Sequence, residues 1–300
     1  MWETWFGIEM RYYSANDYYK DRFGCKMYKA AISLPVTCPN RDGSKGVGGC
    51  AFCSGEGSGE FASLCNISVV NQIDLAIDKL KTKTDEGTGF IAYFQSFTNT
   101  YCEVGFLEDA ISQAVNHPRV RAISIATRPD CISDKMIKML SRIDKICPIF
   151  VELGLQTSND EIAYRFNRCF FTQEYDDTII QLKEEGINVI THVIFGLEGD
   201  TIEGMLDTVN HVVECKSDGI KFTCLFVLKG TRYEELYNEG KLSVLEMQEY
   251  FDIVDKALEL LPKDMVVHRL TGDGPKSSLI APMWTWNKRN VVNYINKRFK

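Results

Sequence analysis

The sequence predicts an α/β protein whose parallel sheet closes partly or fully into a barrel of six or so strand–helix units. Three observations carry that expectation. Short apolar runs alternate with segments of helical period from about residue 27 onward. Nearly every run is followed by polar or glycine residues suited to line a site. No stretch rich in Pro, Gly or Ser divides the chain, and a single α/β unit of barrel type accommodates all 300 residues.

In order, the strand-like runs are Met27–Leu34, Phe90–Phe94, Ala122–Ala126, Ile149–Gly154, Val189–Phe195, Ile220–Leu228 and Met265–Leu270. Helical period lies between them. Ile202, Met205, Leu206, Val209, Val212 and Val213, for example, line one face of a helix. Ser158 with Glu161, Asp200 with Glu203, and Ser243 with Glu246 have the spacing of helix-capping pairs. In such folds the chemistry gathers where strands end. The residues there are Cys38; Gln95 and Ser96; Thr127 and Arg128; Gln156 and Thr157; Gly196 and Glu198; and Lys229 and Thr231.

Bulk composition narrows the function. Hydrophobic residues at 45% and charged residues at 25% are ordinary for a globular protein. No apolar run reaches the ~18 residues of a membrane span. Met1–Met10 carries Glu3 and Glu9 without a basic residue, unlike a secretory leader. The expectation is a cytoplasmic protein with no membrane partner. A net charge of −7 argues against broad, nonspecific nucleic-acid binding. The exception is the tail from Asn287 to Lys300, where Lys288, Arg289, Lys297, Arg298 and Lys300 occur without an acid. It reads as a solvated helix face or as a phosphate-contacting patch.

The chain has eleven cysteines, and in a reducing compartment such residues are ligands or catalysts more often than disulfides. Eight are scattered and read as buried thiols. The other three lie in TCPNRDGSKGVGGCAFCS, Thr37 to Ser54, directly after the first strand. Cys50 and Cys53 form a C-x-x-C pair, with Cys38 twelve positions upstream across a loop holding Gly43, Gly46, Gly48 and Gly49. Glycines let the backbone approach a bulky group closely. Three chemistries compete. A structural zinc site usually needs four Cys or His ligands, and no fourth lies close by: Cys65 is twelve residues on and the first histidine is His117. A redox C-x-x-C pair leaves Cys38 unexplained. An iron–sulfur cluster with one open iron uses three cysteines.

These residues resemble the radical S-adenosylmethionine (SAM) superfamily, in the branch similar to the elongator catalytic subunit and, more closely, the YhcC/YtqA family of bacterial radical SAM proteins. The resemblance runs from RYYSANDYY (Arg11–Tyr19) through the cysteine loop, YFQSFTNTY (Tyr93–Tyr101), SIATRPDC (Ser124–Cys131) and VELGLQT (Val151–Thr157). It continues through THVIFGLEGD (Thr191–Asp200) and VLKGT (Val227–Thr231) to RLTGDGP (Arg269–Pro275). It implies a partial (β/α)6-type barrel over residues 26–262, an N-terminal extension over 1–25 and a C-terminal extension of a strand plus helices over 263–300.

The resemblance further implies a [4Fe–4S] cluster on Cys38, Cys50 and Cys53. Its fourth iron is chelated by SAM, which is cleaved reductively to methionine and a 5′-deoxyadenosyl radical. By the same resemblance Phe52 offers backbone to adenine, Gln95 and Ser96 meet the SAM amine, and Glu152 and Gln156 face the ribose. Arg168 would pair with the SAM carboxylate, and Val227 would wall the adenine. Tyr101, Asp130, Thr271 and Asp273 are candidate substrate contacts beside strand ends. The implied substrate is tRNA, at a wobble-uridine side chain such as a carboxymethylaminomethyl group, with a reductase or a flavodoxin- or ferredoxin-type protein donating electrons. Radical chemistry on a small metabolite is the alternative within the enzyme class, and iron–sulfur electron transfer is the alternative outside it. Elongator-like relatives carry an acetyltransferase domain after the radical domain. The chain ends too soon for one, so acetyl transfer is not expected.

Overall fold

Every one of the seven apolar runs contains a strand in the computed structural model, which describes residues 11–57, 59, 62 and 65–299. The first ten residues, with Glu3 and Glu9, lie outside the described residues, as does Lys300 of the basic tail. The strands are β1 (Met27–Ile32), β2 (Gly89–Phe94), β3 (Val120–Thr127), β4 (Ile149–Gln156), β5 (Asn188–Phe195), β6 (Gly219–Cys224), β7 (Val227–Leu228), β8 (Val266–Arg269) and β9 (Leu279–Ala281). Seven of them form one curled sheet in the order β1-β2-β3-β4-β5-β6-β8, and every neighbouring pair is parallel. This is the partial barrel expected, with β8 as a seventh strand at its edge. The run Ile220–Leu228 divides because β7 leaves the barrel and pairs antiparallel with β9.

Helices cover the outer face, as a parallel sheet requires. They are α1 (Ala15–Phe23), α2 (Val69–Leu80), α3 (Val104–Val115), α4 (Asp134–Asp144), α5 (Asp160–Arg165), α6 (Thr172–Glu184), α7 (Ile202–Glu214), α8 (Arg232–Asn238), α9 (Met247–Leu260) and α10 (Lys288–Phe299). Side chains alternate across each strand. On one face Ile32, Phe94, Ile125, Val151, Phe195 and Phe222 join Met205, Val209 and Val212 of α7 in the main core. On the other face Lys29, Tyr93, Glu152, His192 and Lys221 line a cavity. Helix α1 closes the barrel's other end, where Tyr19 packs with Ile91, Ala122, Phe150 and Ile190.

Helix starts differ from the expected caps by a few residues. Asn159 caps α5, because the Ser158 hydroxyl turns to Thr208 at 3.2 Å. Thr201, next to the expected Asp200, caps α7 by accepting from the Gly204 amide. Glu246 is itself the cap of α9, closing a box with Glu249.

Candidate active site

The loop between β1 and α2 is organised by its own backbone. Arg41 N–H donates to the Cys38 carbonyl at 2.8 Å, Gly46 N–H to Pro39 at 3.1 Å, Gly49 N–H to Asn40 at 2.8 Å, and Cys53 N–H to Cys50 at 2.9 Å. Gly48 and Gly49 have φ near +80°, where a Cβ would be strained. Gly46 is needed for another reason: a Cβ there would lie 2.2 Å from Asn40 Oδ1 and 2.9 Å from Cys169 Sγ.

Neighbouring loops clamp this one. Asn167 donates to the carbonyls of Val47 and Gly49 at 3.3 and 2.9 Å. Lys45 pairs with Asp130 at 2.7 Å, and Ser44 meets the Tyr101 hydroxyl at 2.7 Å. Asp130 in turn takes both arms of Arg128, each at 2.9 Å. Burial opposes its ionisation, and Arg128 and Lys45 overcome that to hold it below the usual carboxylate range. Non-glycine residues with positive φ gather here: Phe97, Gln156, Asn167 and Cys169. Such backbone strain persists where surroundings over-determine it, often at functional sites.

Cys38, Cys50 and Cys53 line one wall of a cavity of about 710 Å³ that runs into the barrel. Burial, reinforced by the neighbouring Cys53, pushes the Cys50 thiol up to about 12. Asn40 donates to Cys50 Sγ at 3.5 Å, while its own buried Oδ1 has no partner. Among the described residues one trio of Cys, His or carboxylate ligand atoms lies within 4.8 Å of one another, and it is not these three cysteines. Three thiols on one wall of a cavity of this size can hold a polynuclear cluster. The donor set agrees, since thiolates select iron–sulfur clusters among few alternatives.

The floor of the cavity is a charged girdle. Lys29 and Lys221 stand three residues before the ends of their strands, about 10 Å down at ~3.3 Å per residue. Both contact the carboxylate of Glu152, as does the Ser124 hydroxyl. His192 Nε2 reaches the same carboxylate at 2.8 Å. Tyr93 lies beneath both ammonium groups, 4.0 Å from Lys29 and 5.0 Å from Lys221. Burial disfavours the Glu152 anion, but Lys221, Lys29 and His192 hold its pKa well below the carboxylate range. Burial lowers Lys221 well below an ordinary lysine, with Lys29 and Arg269 adding to the effect against Glu152. His192 falls to about 4, through burial and the nearby Lys221.

Not all of the expected site residues meet. Phe52, Gln95, Gln156 and Asp273 line the cavity with the three cysteines. Glu152 does too, but four donors from within the barrel already fill its oxygens, which does not agree with a ribose-facing role. Arg168 is 1% exposed and bonds the carbonyls of Leu155, Thr157 and Phe170 and the side chains of Asp160 and Thr172. Its guanidinium ties the end of β4 to the loop after α5 and does not face the cavity, because the carbonyls of Thr157 and Phe170 turned inward there need donors. Ser96 is buried with Ser33 at 2.5 Å, and Val227 packs in a satellite core. Tyr101 and Asp130 serve the cysteine loop, and Thr271 sits 3.9 Å from Cys224 Sγ. Asp273 is paired with Lys288 at 2.5 Å.

The residues missed were Lys29, Lys221 and, as a girdle member, His192. Their signal was present: a lysine in the middle of an apolar strand run has to face something polar.

A profile described as the Radical SAM superfamily matches residues 35–212, and one described as the Radical_SAM C-terminal domain matches 217–300. The chain is 38% identical over 292 residues to an uncharacterized protein, YtqA, of Bacillus subtilis, covering 97% of this chain and 90% of that one. It is 27% identical to a tRNA uridine(34) acetyltransferase of Methanocaldococcus infernus, over 64% of this chain and 36% of that protein. Its fold superposes on the archaeal Elp3 of the same organism with a TM-score of 0.67 at 18% identity, covering 91% of this chain and 64% of the other.

Proposed function

The chain belongs to the radical SAM superfamily, a family of enzymes using a [4Fe–4S] cluster and SAM, and from that premise we propose that it modifies the side chain of a wobble uridine in tRNA. The observation that carries the reading is the shared cavity, with thiols at its mouth and a cationic girdle at its floor. When bound, the cluster and SAM supply a 5′-deoxyadenosyl radical that takes a hydrogen atom from substrate. Cys38, Cys50 and Cys53 hold the cluster, and Phe52, Gln95 and Gln156 face SAM. The protein's part is to position these groups and exclude water.

The choice of tRNA draws on the relative named for tRNA uridine(34), although this chain spans only 36% of that protein. It also draws on the floor. Lys29 and Arg269, with the lowered Lys221, line the cavity against the one carboxylate of Glu152, so a substrate side chain ending in an anionic group, such as carboxymethylaminomethyl, would balance the remaining charge. The basic tail contributes less than its composition suggests. Arg298 is committed to Asp252 and Asp255 and Lys288 to Asp273, leaving Arg289 and Lys297 exposed on α10. Among the described residues no helix is long and apolar enough to cross a membrane. An electron donor of flavodoxin or ferredoxin type completes the reaction.

The test is anaerobic reconstitution with iron and sulfide, then assay of 5′-deoxyadenosine with SAM and dithionite, with and without tRNA lacking the modification. Expected are SAM cleavage and a changed uridine nucleoside after digestion. A loaded cluster that cleaves no SAM would favour electron transfer. Cleavage stimulated by a small molecule and indifferent to tRNA would favour a metabolite substrate.

A further inference from the structure

Away from the cavity, on the helical side of the barrel, three side chains of different chemistry meet at one point. His211 in the last turn of α7 and Cys215 at its C-cap are four residues apart, so both project from the same face. Asp176 comes from the neighbouring α6. His211 Nε2 lies 2.7 Å from Asp176 Oδ1, Cys215 Sγ lies 3.5 Å from the same oxygen, and Cys215 Sγ lies 3.7 Å from the same nitrogen.

This is not the arrangement of a nucleophile relayed through a base. A relay uses both ring nitrogens, one toward the thiol and one toward the carboxylate. Here Sγ and Oδ1 both approach Nε2, which can carry only one proton. Convergence of S, N and O on a common point is how ligands surround a metal ion. Ideal tetrahedral zinc at its usual bond lengths puts such atoms about 3.3–3.6 Å apart. Two of the three separations are already close to that. The third opens when the ion replaces the hydrogen bond between His211 and Asp176. The ring of Tyr175, 6.1 Å from that of His211, packs beside it, and the Tyr175 hydroxyl is fixed to Thr191 at 2.7 Å. His211 and Asp176 are 26% and 25% exposed, so solvent reaches the fourth position.

We propose that Asp176, His211 and Cys215 form a zinc-binding site that ties α6 to α7, with water as the fourth ligand. The mixed S, N and O donor set fits zinc, whose affinity exceeds those of manganese and ferrous iron in the usual order. The site is independent of the radical chemistry and would survive the failure of that reading.

The experiment uses the full chain after cluster loading, so that the loop thiols are already taken up by iron. The protein is incubated with zinc, freed of excess by gel filtration, and analysed for metal content and by zinc X-ray absorption. Expected is one zinc per chain with a single sulfur near 2.3 Å and lighter N or O neighbours. Cys215→Ser and His211→Gln should each lose at least tenfold in zinc affinity, and zinc should raise Tm only in the unsubstituted protein. The two variants remove different donors, so misfolding of one leaves the other to decide. No retained zinc would overturn the site and leave a hydrogen-bonded contact only. Zinc bound equally by both variants would overturn it as well.

Discussion

At the mouth of the cavity the buried Oδ1 of Asn40, beside the three thiols, has no partner, while at its floor Glu152 is saturated by Lys29, Lys221, His192 and Ser124. Both ends are lined by polar side chains, yet they are held differently. The mouth is a glycine-rich loop fixed by main-chain hydrogen bonds and by clamps from Asn167, Asp130 and Tyr101. The floor is fixed by charges on strands inside a parallel sheet. The loop can lose a thiol and keep its backbone contacts. The floor cannot lose a charge without leaving another one buried and unpaired. Substitutions at the two ends should therefore fail in different ways.

The largest effect on activity is expected at the mouth. Cys50→Ala should lower bound iron and sulfide and bring 5′-deoxyadenosine formation to background. The apparent Tm of the cluster-free protein should stay within about 2 °C of the parent, as for a partly buried small substitution that loses only the long Asn40 contact to sulfur, since the Asn40 amide keeps the Asn167 carbonyl. A large drop in cluster-free Tm would mean that the loop thiols hold the fold, and the contrast between the two ends would break.

The largest effect on stability is expected at the floor. Glu152→Gln leaves Lys29 and Lys221 facing each other without their carboxylate, at a cost of about 3–5 kcal/mol in denaturant unfolding. If Glu152 instead contacted the SAM ribose alone, stability would be kept and SAM affinity would fall. Arg168→Met separates the same two possibilities one step away from the cavity. It strands the carbonyls of Thr157 and Phe170 and removes one of two donors from that of Leu155, which keeps the Thr157 N–H, and this should lower stability by about 2–4 kcal/mol. Equilibrium dialysis of SAM against the folded, cluster-loaded variant should give parent-like affinity. A selective loss of SAM binding at unchanged stability would restore a carboxylate-pairing role.

How much of this could be read beforehand differs by region. Each barrel strand announced itself through a short apolar run, because both faces of a parallel sheet are covered. The mouth was legible because Cys38, Cys50 and Cys53 are near in sequence, so spacing and glycines identify them together. The floor was not. Lys29, Glu152, His192 and Lys221 come from four strands; His192 and Lys221 are register partners, but Glu152 lies opposite Ala126 and Ile190, and only the curl of the sheet brings all four together. Arg168 was misplaced for a related reason. A guanidinium near a strand end suits a ligand carboxylate and a cluster of main-chain carbonyls equally well, and only the positive-φ turn at Gln156 and Asn167 creates the second demand.

The smallest effect sharpens the picture of the floor through pH. The folded pKa of His192, about 4, lies below the 6.5 of a free histidine. As pH falls through 6.5 the unfolded chain takes up a proton that the folded chain refuses until about 4. Stability from this group is complete above 6.5 and declines across that window. His268, also lowered by burial, acts in the same direction. The His192 side chain is 30% exposed to the cavity, so solvent moderates the loss to on the order of 1 kcal/mol. Replacing His192 with Gln should keep a hydrogen bond to Glu152 and flatten the dependence of the urea midpoint between pH 6.5 and 5, without abolishing the part due to His268. A slope identical to the parent's would mean that the ring protonates freely in the folded state. The girdle would then be open to water, and the floor would no longer differ from the mouth in the way its charges are held.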